Sequence, residues 1–327
     1  MPRCKLERHR NPNVECRNPK EIRNPKSELL VRPGGLFAAP GRLAVGSEFR
    51  ASGFGFPSDF GIRHSDFPPP LTDANPSTDA LAAEGLVKQF ETVTAVNGLT
   101  LRVRAGEIVG LLGPNGSGKT TALRMLAGIL TPTAGRVWIN GRDLQADPIA
   151  AKQRIGFLSG DTQLYQRLTP REVLRYFGRL YELSESAITG RTEVLLAELE
   201  MGSFADRPCR TLSSGQKQRA NIARAFLHEP DVLMLDEPTA ALDVISGNFI
   251  MQAVRRARDA GRAVLFSTHI MSEAEYLCDR IYLLHEGRVT DHGTLPEILA
   301  RAGCANLTDA FLKHAGQLPL RPASGKN

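Results

Sequence analysis

The sequence predicts an α/β fold built on a parallel sheet, and three observations carry that expectation. Apolar runs at 108–112, 232–236 and 263–268 are short and unbroken, as strands covered on both faces are. Each gives way to glycine, carboxylate or hydroxyl residues at its C-terminal edge, where doubly wound sheets place their ligands. Between the first two runs, residues of about 165–227 change to the 3.6-residue apolar period of helices.

The chain has 327 residues, of which 42% are hydrophobic, enough for one sizeable core and a small second lobe. Its formal charge is +6, but residues 1–70 hold 12 Lys and Arg against 7 Asp and Glu, so the basic character belongs to that segment. Near-repeats mark the same stretch: Arg10-Asn11-Pro12, Arg17-Asn18-Pro19-Lys20 and Arg23-Asn24-Pro25-Lys26. With ten of the 21 prolines and no lasting periodicity, this composition does not offset the entropy of ordering, and a disordered extension over 1–80 is expected. The lack of Met between Met1 and Met125 also fits an over-extended reading of the gene. Five cysteines show no metal or disulfide spacing, and no apolar run approaches the roughly 18 residues of a spanning helix.

In chain order, branched segments at Leu86–Phe90 and Leu99–Val103, with Asn97-Gly98 between them as a turn signal, predict an N-terminal antiparallel β subdomain. Phe90 ends the first of these and is either a ring for stacking on a base or a core residue; Val96 precedes the second and is placed with it at the nucleotide. The run 108–112 then meets Gly113-Pro114-Asn115-Gly116-Ser117-Gly118-Lys119-Thr120-Thr121. This is G-x-x-x-x-G-K-[ST] in the strand-to-helix context that it requires: glycines let N–H groups converge on phosphate, and the helix dipole adds positive potential. Lys119 is expected at the β/γ-phosphates and the Thr120 hydroxyl at Mg²⁺.

Gly135–Gly141 reads as a strand and turn, and Ile155–Leu158 as a short buried strand. Thr169, Pro170 and Glu172 supply a helix cap, with Val173, Leu174, Phe177, Leu180 and Tyr181 on one face. A second amphipathic run covers Ile188–Leu199. Ser213-Ser214-Gly215-Gln216 at the start of the next helix can bind an anion or simply cap that helix. Asp236 at the end of 232–236 is placed to hold Mg²⁺, and Glu237 to orient or deprotonate a water. His269 ends the run 263–268 and can reach a γ-phosphate. The chain closes with a hairpin around Glu286-Gly287 and helices near Pro296 and Leu307.

Taken in this order, residues of about 84–295 resemble the ATP-binding subunit of ABC transporters. Gly113–Thr121 look like Walker A, Leu212–Gln216 like the signature, Val232–Glu237 like Walker B, Ala241–Asp243 like the D-loop and His269 like the switch histidine. The resemblance implies a P-loop NTPase core with a helical insert, ATP hydrolysis with Mg²⁺, and a head-to-tail homodimer or heterodimer holding two ATP between Walker A of one chain and the signature of the other. It implies further that Ser213, Ser214, Gly215, Gln216 and Asp243 contribute to that site, and that a separate membrane permease is the partner, at the cytoplasmic face of the membrane. Domain limits of 81–300 for the ATPase, with its insert at about 165–227, and 301–327 for a C-terminal tail are expected. Ser214 stands where the family commonly has glycine, and Gly160 where the Q-loop glutamine is usual; Gln163, three residues on, is the available substitute. Gly160 and the segment Leu164–Thr169 are reminiscent of sodium-extrusion and related ABC-2 exporters. No nucleic acid is expected; a soluble relative acting on ribosomes or DNA would carry two cassettes, a coiled coil or a zinc insert. A plain P-loop kinase or GTPase would have no use for the signature, Asp243 or His269.

Overall fold

The computed structural model describes residues 79–316, so the Asn-Pro repeats and residues 317–327 lie outside the described residues. An antiparallel pair comes first: β1 (Leu81–Phe90) and β2 (Val93–Val103) turn at Glu91, whose φ is 45°. The expected turn at Asn97-Gly98 is instead inside β2. Leu86 pairs with Leu99 and Val87 with Asn97, leaving Gly98 as the extra residue of a bulge at φ 77°. Hairpin turns and bulges both use left-handed backbone, so the same Asn-Gly pair serves either.

There follow β3 (Ile108–Leu112), α1 (Lys119–Leu126), β4 (Ala134–Ile139), β5 (Arg142–Asp143), α2 (Pro148–Lys152) and β6 (Ile155–Leu158). Helices α3 (Pro170–Leu180), α4 (Glu185–Glu198) and α5 (Ser214–Phe226) come next, then β7 (Val232–Asp236), α6 (Val244–Asp259), β8 (Ala263–Thr268) and α7 (Met271–Leu277). β9 (Arg280–His285), β10 (Arg288–Gly293), α8 (Leu295–Ala302) and α9 (Leu307–His314) complete the described chain. One sheet has the order β2-β1-β4-β5, the other β10-β9-β3-β8-β7-β6. In the second, β6, β7, β8, β3 and β9 run parallel and only β10 is antiparallel.

Alternation along the parallel strands divides the core into layers. Val109, Leu111, Met234 and Leu265 face the antiparallel sheet with Leu81, Leu101 and Leu126, whereas Leu233, Leu235, Val264 and Phe266 face α3 to α6. Every one of these is fully buried, which explains why the sequence reads as unbroken apolar runs rather than alternation. Strand register then sets the functional edge: Leu112 lies beside Thr268 and Asp236 beside Ser267.

The helical segment forms as its caps dictate. Thr169 accepts from the Glu172 N–H and Glu172 returns the bond, a capping box with Pro170 in the first turn. Val173 and Leu174 are buried and Phe177 half-buried, but Leu180, expected on the same face, is 60% exposed because the helix ends there. Tyr181 instead stacks on His228 with ring centroids 3.8 Å apart.

Burial pushes the His228 imidazole down to about 4, against the bond its Nε2 makes with the Ile155 carbonyl. The unfolded chain, titrating near 6.5, therefore takes up a proton that the folded chain refuses. Stability should fall by about 2 kcal/mol as pH drops from 6.5 to 4 on this account. Urea unfolding of wild type and His228→Gln across that window should show a shallower pH dependence in the variant.

Candidate functional site

The phosphate loop is held by contacts on both sides. At Gly113 a Cβ would come within 2.2 Å of the Leu284 carbonyl and 2.6 Å of Ser117 Oγ, and at Gly118, with φ 103°, within 2.4 Å of the Ala95 carbonyl. Both glycines are thus required by close backbone approach. The hairpin after β9 supports the loop from below: the Gly287 N–H donates to the Ser117 carbonyl at 2.9 Å, and the Asn97 N–H to the Gly287 carbonyl at 2.8 Å. Pro114, Asn115 and Gly116 are exposed at the tip; Ser117 is buried, with its Oγ lacking a hydrogen-bond partner. Thr120 and Thr121 sit half-buried in the first turn of α1, where the main-chain N–H groups have no partner within the helix.

Lys119 is 4% exposed, and its Nζ donates to the carbonyls of Gly113 at 2.8 Å and Pro114 at 3.1 Å. The same ammonium lies 3.3 Å from Glu237 Oε1, while the other Glu237 oxygen is 3.1 Å from His269 Nδ1. Three residues named from three separate motifs therefore meet at one carboxylate. Glu237 adopts φ 47°, unusual for a residue with a side chain, which turns it away from the line of β7. Asp236, one residue earlier, is 3% exposed and accepts the Ser267 hydroxyl on Oδ1 at 2.6 Å.

Ser267 itself was not among the candidates. It is fully buried, its Oγ donates to Asp236 and accepts the Glu237 N–H at 3.1 Å, and its carbonyl accepts the same N–H. A serine in an otherwise apolar buried strand is the signal that could have revealed it. Gln218 was also missed; its Nε2 donates to the Pro238 carbonyl at 2.6 Å and ties α5 to the turn after Glu237.

Away from this centre, Ser213 and Gln216 bond to each other's backbone, at 3.2 and 3.1 Å, in a second capping box. Both readings of that segment are compatible with this, since a capping serine still stands at an exposed helix start. Ser214 is exposed and Gly215 buried, and a Cβ on Gly215 would come within 2.5 Å of Ser246 Oγ. Ser246 in turn donates from N and Oγ to Asp243, the N-cap of α6, whose carboxyl those bonds hold below the usual range. Asp243 is thus joined to the start of α5 by way of one glycine contact.

Phe90 is 46% exposed with Lys88 Nζ 5.2 Å from its ring centre, so it is no core residue. Val96, expected beside it at the nucleotide, is fully buried and packs under Gly118, where it supports the loop from within. Gly160 lies with its Cα hydrogens toward the Asp236 carbonyl, since a Cβ there would come within 3.4 Å. Gln163 is exposed, and the residue the loop fixes is Asp161, paired with Arg124 at 3.1 Å and bonded to Ser159. The Ser159 hydroxyl and then Arg124 hold its carboxyl below the ordinary carboxylate range.

The family model described as ABC transporter matches residues 96–240. The ABC transporter ATP-binding protein NatA of Bacillus subtilis (strain 168) is 40% identical over 223 residues, covering 68% of this chain and 91% of the relative. The chain belongs to the ABC transporter ATP-binding subunits. Its relatives are of the ABC-2 exporter type; the daunorubicin resistance ATP-binding protein DrrA3 of Streptomyces coeruleorubidus is 37% identical, with 73% of this chain and 75% of that one covered. A solved ATP-binding subunit of an ABC transporter superposes with a TM-score of 0.67 at 31% identity, over 72% of this chain and 99% of that one. The ATP-binding cassette MJ0796, solved as a post-hydrolysis dimer with ADP and Pi, gives 0.60 at 29% identity, over 66% and 98%. This subunit is accordingly an ATPase that binds ATP, with the mixed α/β cassette fold.

Because Ser267 holds the Asp236 carboxylate and the Glu237 main-chain N–H, Ser267→Ala should lower ATPase kcat by about tenfold to a hundredfold, with a loss of about 1–3 kcal/mol in stability from the unpaired buried groups. Steady-state kinetics with purified subunit and a denaturation curve check the two parts. Ser267→Thr, which keeps the hydroxyl, should recover part of the rate.

Proposed function

We propose that the subunit acts as a head-to-tail dimer around two ATP molecules and drives a separate membrane permease in export. The observation that carries this reading is the division of the candidate residues. Lys119, Glu237 and His269 converge within one chain, whereas the Ser213 and Gln216 side chains hydrogen-bond only with each other's backbone. The second group becomes part of a nucleotide site when a partner chain presents it. Such an arrangement makes ATP the joint between subunits and hydrolysis its release.

In this reading the main chain of Gly113–Thr121 cradles the phosphates, Lys119 exchanges its carbonyl contacts for phosphate oxygens, and Phe90 offers its exposed face to the base. Glu237 orients or deprotonates the attacking water, with His269 steadying the carboxylate from the side opposite Lys119. For Mg²⁺ the residues fit: Asp236 has one oxygen committed to Ser267 and none of its hydrogen bonds engages the other, and the Thr120 hydroxyl stands in the first turn of α1. Among the described residues no group of three His, Cys, Asp or Glu can hold a metal alone, as expected where phosphate oxygens complete the shell. Bound there, the ion would neutralise charge developing on the phosphates.

Export is supported by the relatives, whose names include daunorubicin resistance and Nod factor export. No described helix is long and apolar enough to cross a membrane; in this reading a separate permease spans it and the subunit works at the cytoplasmic face. A nucleic-acid role has little to rest on, because the basic excess lies in residues 1–70.

Glu237→Gln should bind ATP and form a stable dimer while kcat falls by about 10²- to 10⁴-fold; size-exclusion chromatography with ATP and phosphate release measure each, and undiminished turnover would remove Glu237 as the base. Mixing Lys119→Ala chains with Ser213→Arg chains should leave one intact composite site per heterodimer and restore hydrolysis that neither variant shows alone.

A further inference from the structure

β8 ends in two hydroxyl residues, Ser267 and Thr268, and alternation along a strand turns them to opposite faces of the sheet. Ser267 fixes the main chain of Glu237. Thr268 is 2% exposed, and its Oγ1 accepts the Ile270 N–H at 3.0 Å and donates to Glu273 Oε2 at 2.7 Å. His269 stands between the residues that this hydroxyl joins. With the Glu273 N–H bonded to the Ile270 carbonyl at 3.2 Å, the turn over 268–273 is closed by three bonds, two of them made by one oxygen.

Little else in the local sequence holds that turn. Ile270, the N-cap of α7, supplies no side-chain acceptor and is 37% exposed, so neither a cap of its own nor apolar burial fixes it. The His269 side chain is 40% exposed and is not wedged by packing, so its aim is inherited from its main chain. Farther along, α7 is anchored without Thr268: Ala274 and Leu277 are buried, and Glu275 accepts the Leu307 N–H at 2.9 Å. Loss of the Thr268 hydroxyl would thus release residues 269 and 270 and leave the helix in place.

We infer that Thr268 and Glu273 are positioning residues for ATP hydrolysis, which act by holding the His269 imidazole against Glu237. The contact at stake is Nδ1 to Oε2 at 3.1 Å, and hydroxyls one residue apart on β8 then set both its members: Ser267 for Glu237 and Thr268 for His269. The inference rests on the role given to His269 above and names what maintains it. Groups at a reacting phosphate must be held to within about 0.5 Å, so a loosened turn is felt in the rate before it is felt in the fold.

Thr268→Val keeps the shape of the side chain and removes the hydroxyl. In the full chain kcat should fall by about tenfold or more while the dissociation constant for ATP stays within about twofold, since the phosphate loop is untouched. Thr268→Ser should restore most of the rate, and Glu273→Ala, on the more accessible side of the bond, should reproduce the loss. Adding Thr268→Val to His269→Ala should slow the reaction by less than about twofold further, because a residue that acts through the imidazole has nothing left to position. Magnetic resonance of isotopically labelled histidine rings, with His269 assigned from the His269→Ala spectrum, gives a readout without nucleotide: Thr268→Val should move the His269 signal and leave the other rings unchanged. A loss that multiplies with His269→Ala, an unmoved His269 signal, or no recovery with serine would overturn the inference and leave the role of His269 standing. Full turnover in His269→Ala would instead overturn that role, and the inference with it.

Discussion

The parallel register of β3, β8 and β7 is the constraint from which the rest of the site follows. Once Leu112 is level with Thr268 and Asp236 with Ser267, the chain leaves all three strands at one edge, and the residues just beyond must share a small volume. The phosphate loop precedes the acidic pair by more than a hundred residues and His269 follows Glu237 by 32, yet each is the first polar segment after a buried strand. The apolar layers above and below the sheet hold that register, since a slip of one residue would turn Leu235 and Phe266 from one layer to the other.

Within that edge the arrangement is governed by a single backbone turn. Glu237 leaves β7 with left-handed φ, and such a conformation in a glutamate persists only where its surroundings enforce it. Ser267 provides the enforcement by accepting the Glu237 N–H on both its hydroxyl and its carbonyl. The result is that consecutive carboxylates face different partners: Asp236 toward Ser267, Glu237 between an ammonium and an imidazole.

Much of this was legible in the sequence because local chemistry and global fold agree. The glycine pattern, the caps at Thr169 and Ser213, and the unbroken runs of β3, β7 and β8 each carry their own physical signature. Where several conformations use the same residues, the reading failed. Asn97-Gly98 signals left-handed backbone without saying whether a turn or a bulge requires it, and Val96 is apolar and close to the loop without revealing on which side of Gly118 it packs. Ser267 escaped because its position in an apolar strand marks a buried hydroxyl without saying which neighbouring strand supplies its partner.

The capping box at Ser213 has a consequence for the strength of the proposed dimer. Its hydroxyl already accepts the Gln216 N–H, and Gln216 already returns a bond. A phosphate arriving from the partner's site is itself an acceptor, so it would take bonds from the Ser213 hydroxyl and the Gln216 NH2 in addition to these and leave the cap in place. Such charge-assisted bonds, with the dipole of α5, would draw their strength from the phosphate charge, an attraction that dissolved ions screen over about 10 Å at 0.1 M. Pairing in the proposed dimer would therefore respond to ionic strength as well as to nucleotide.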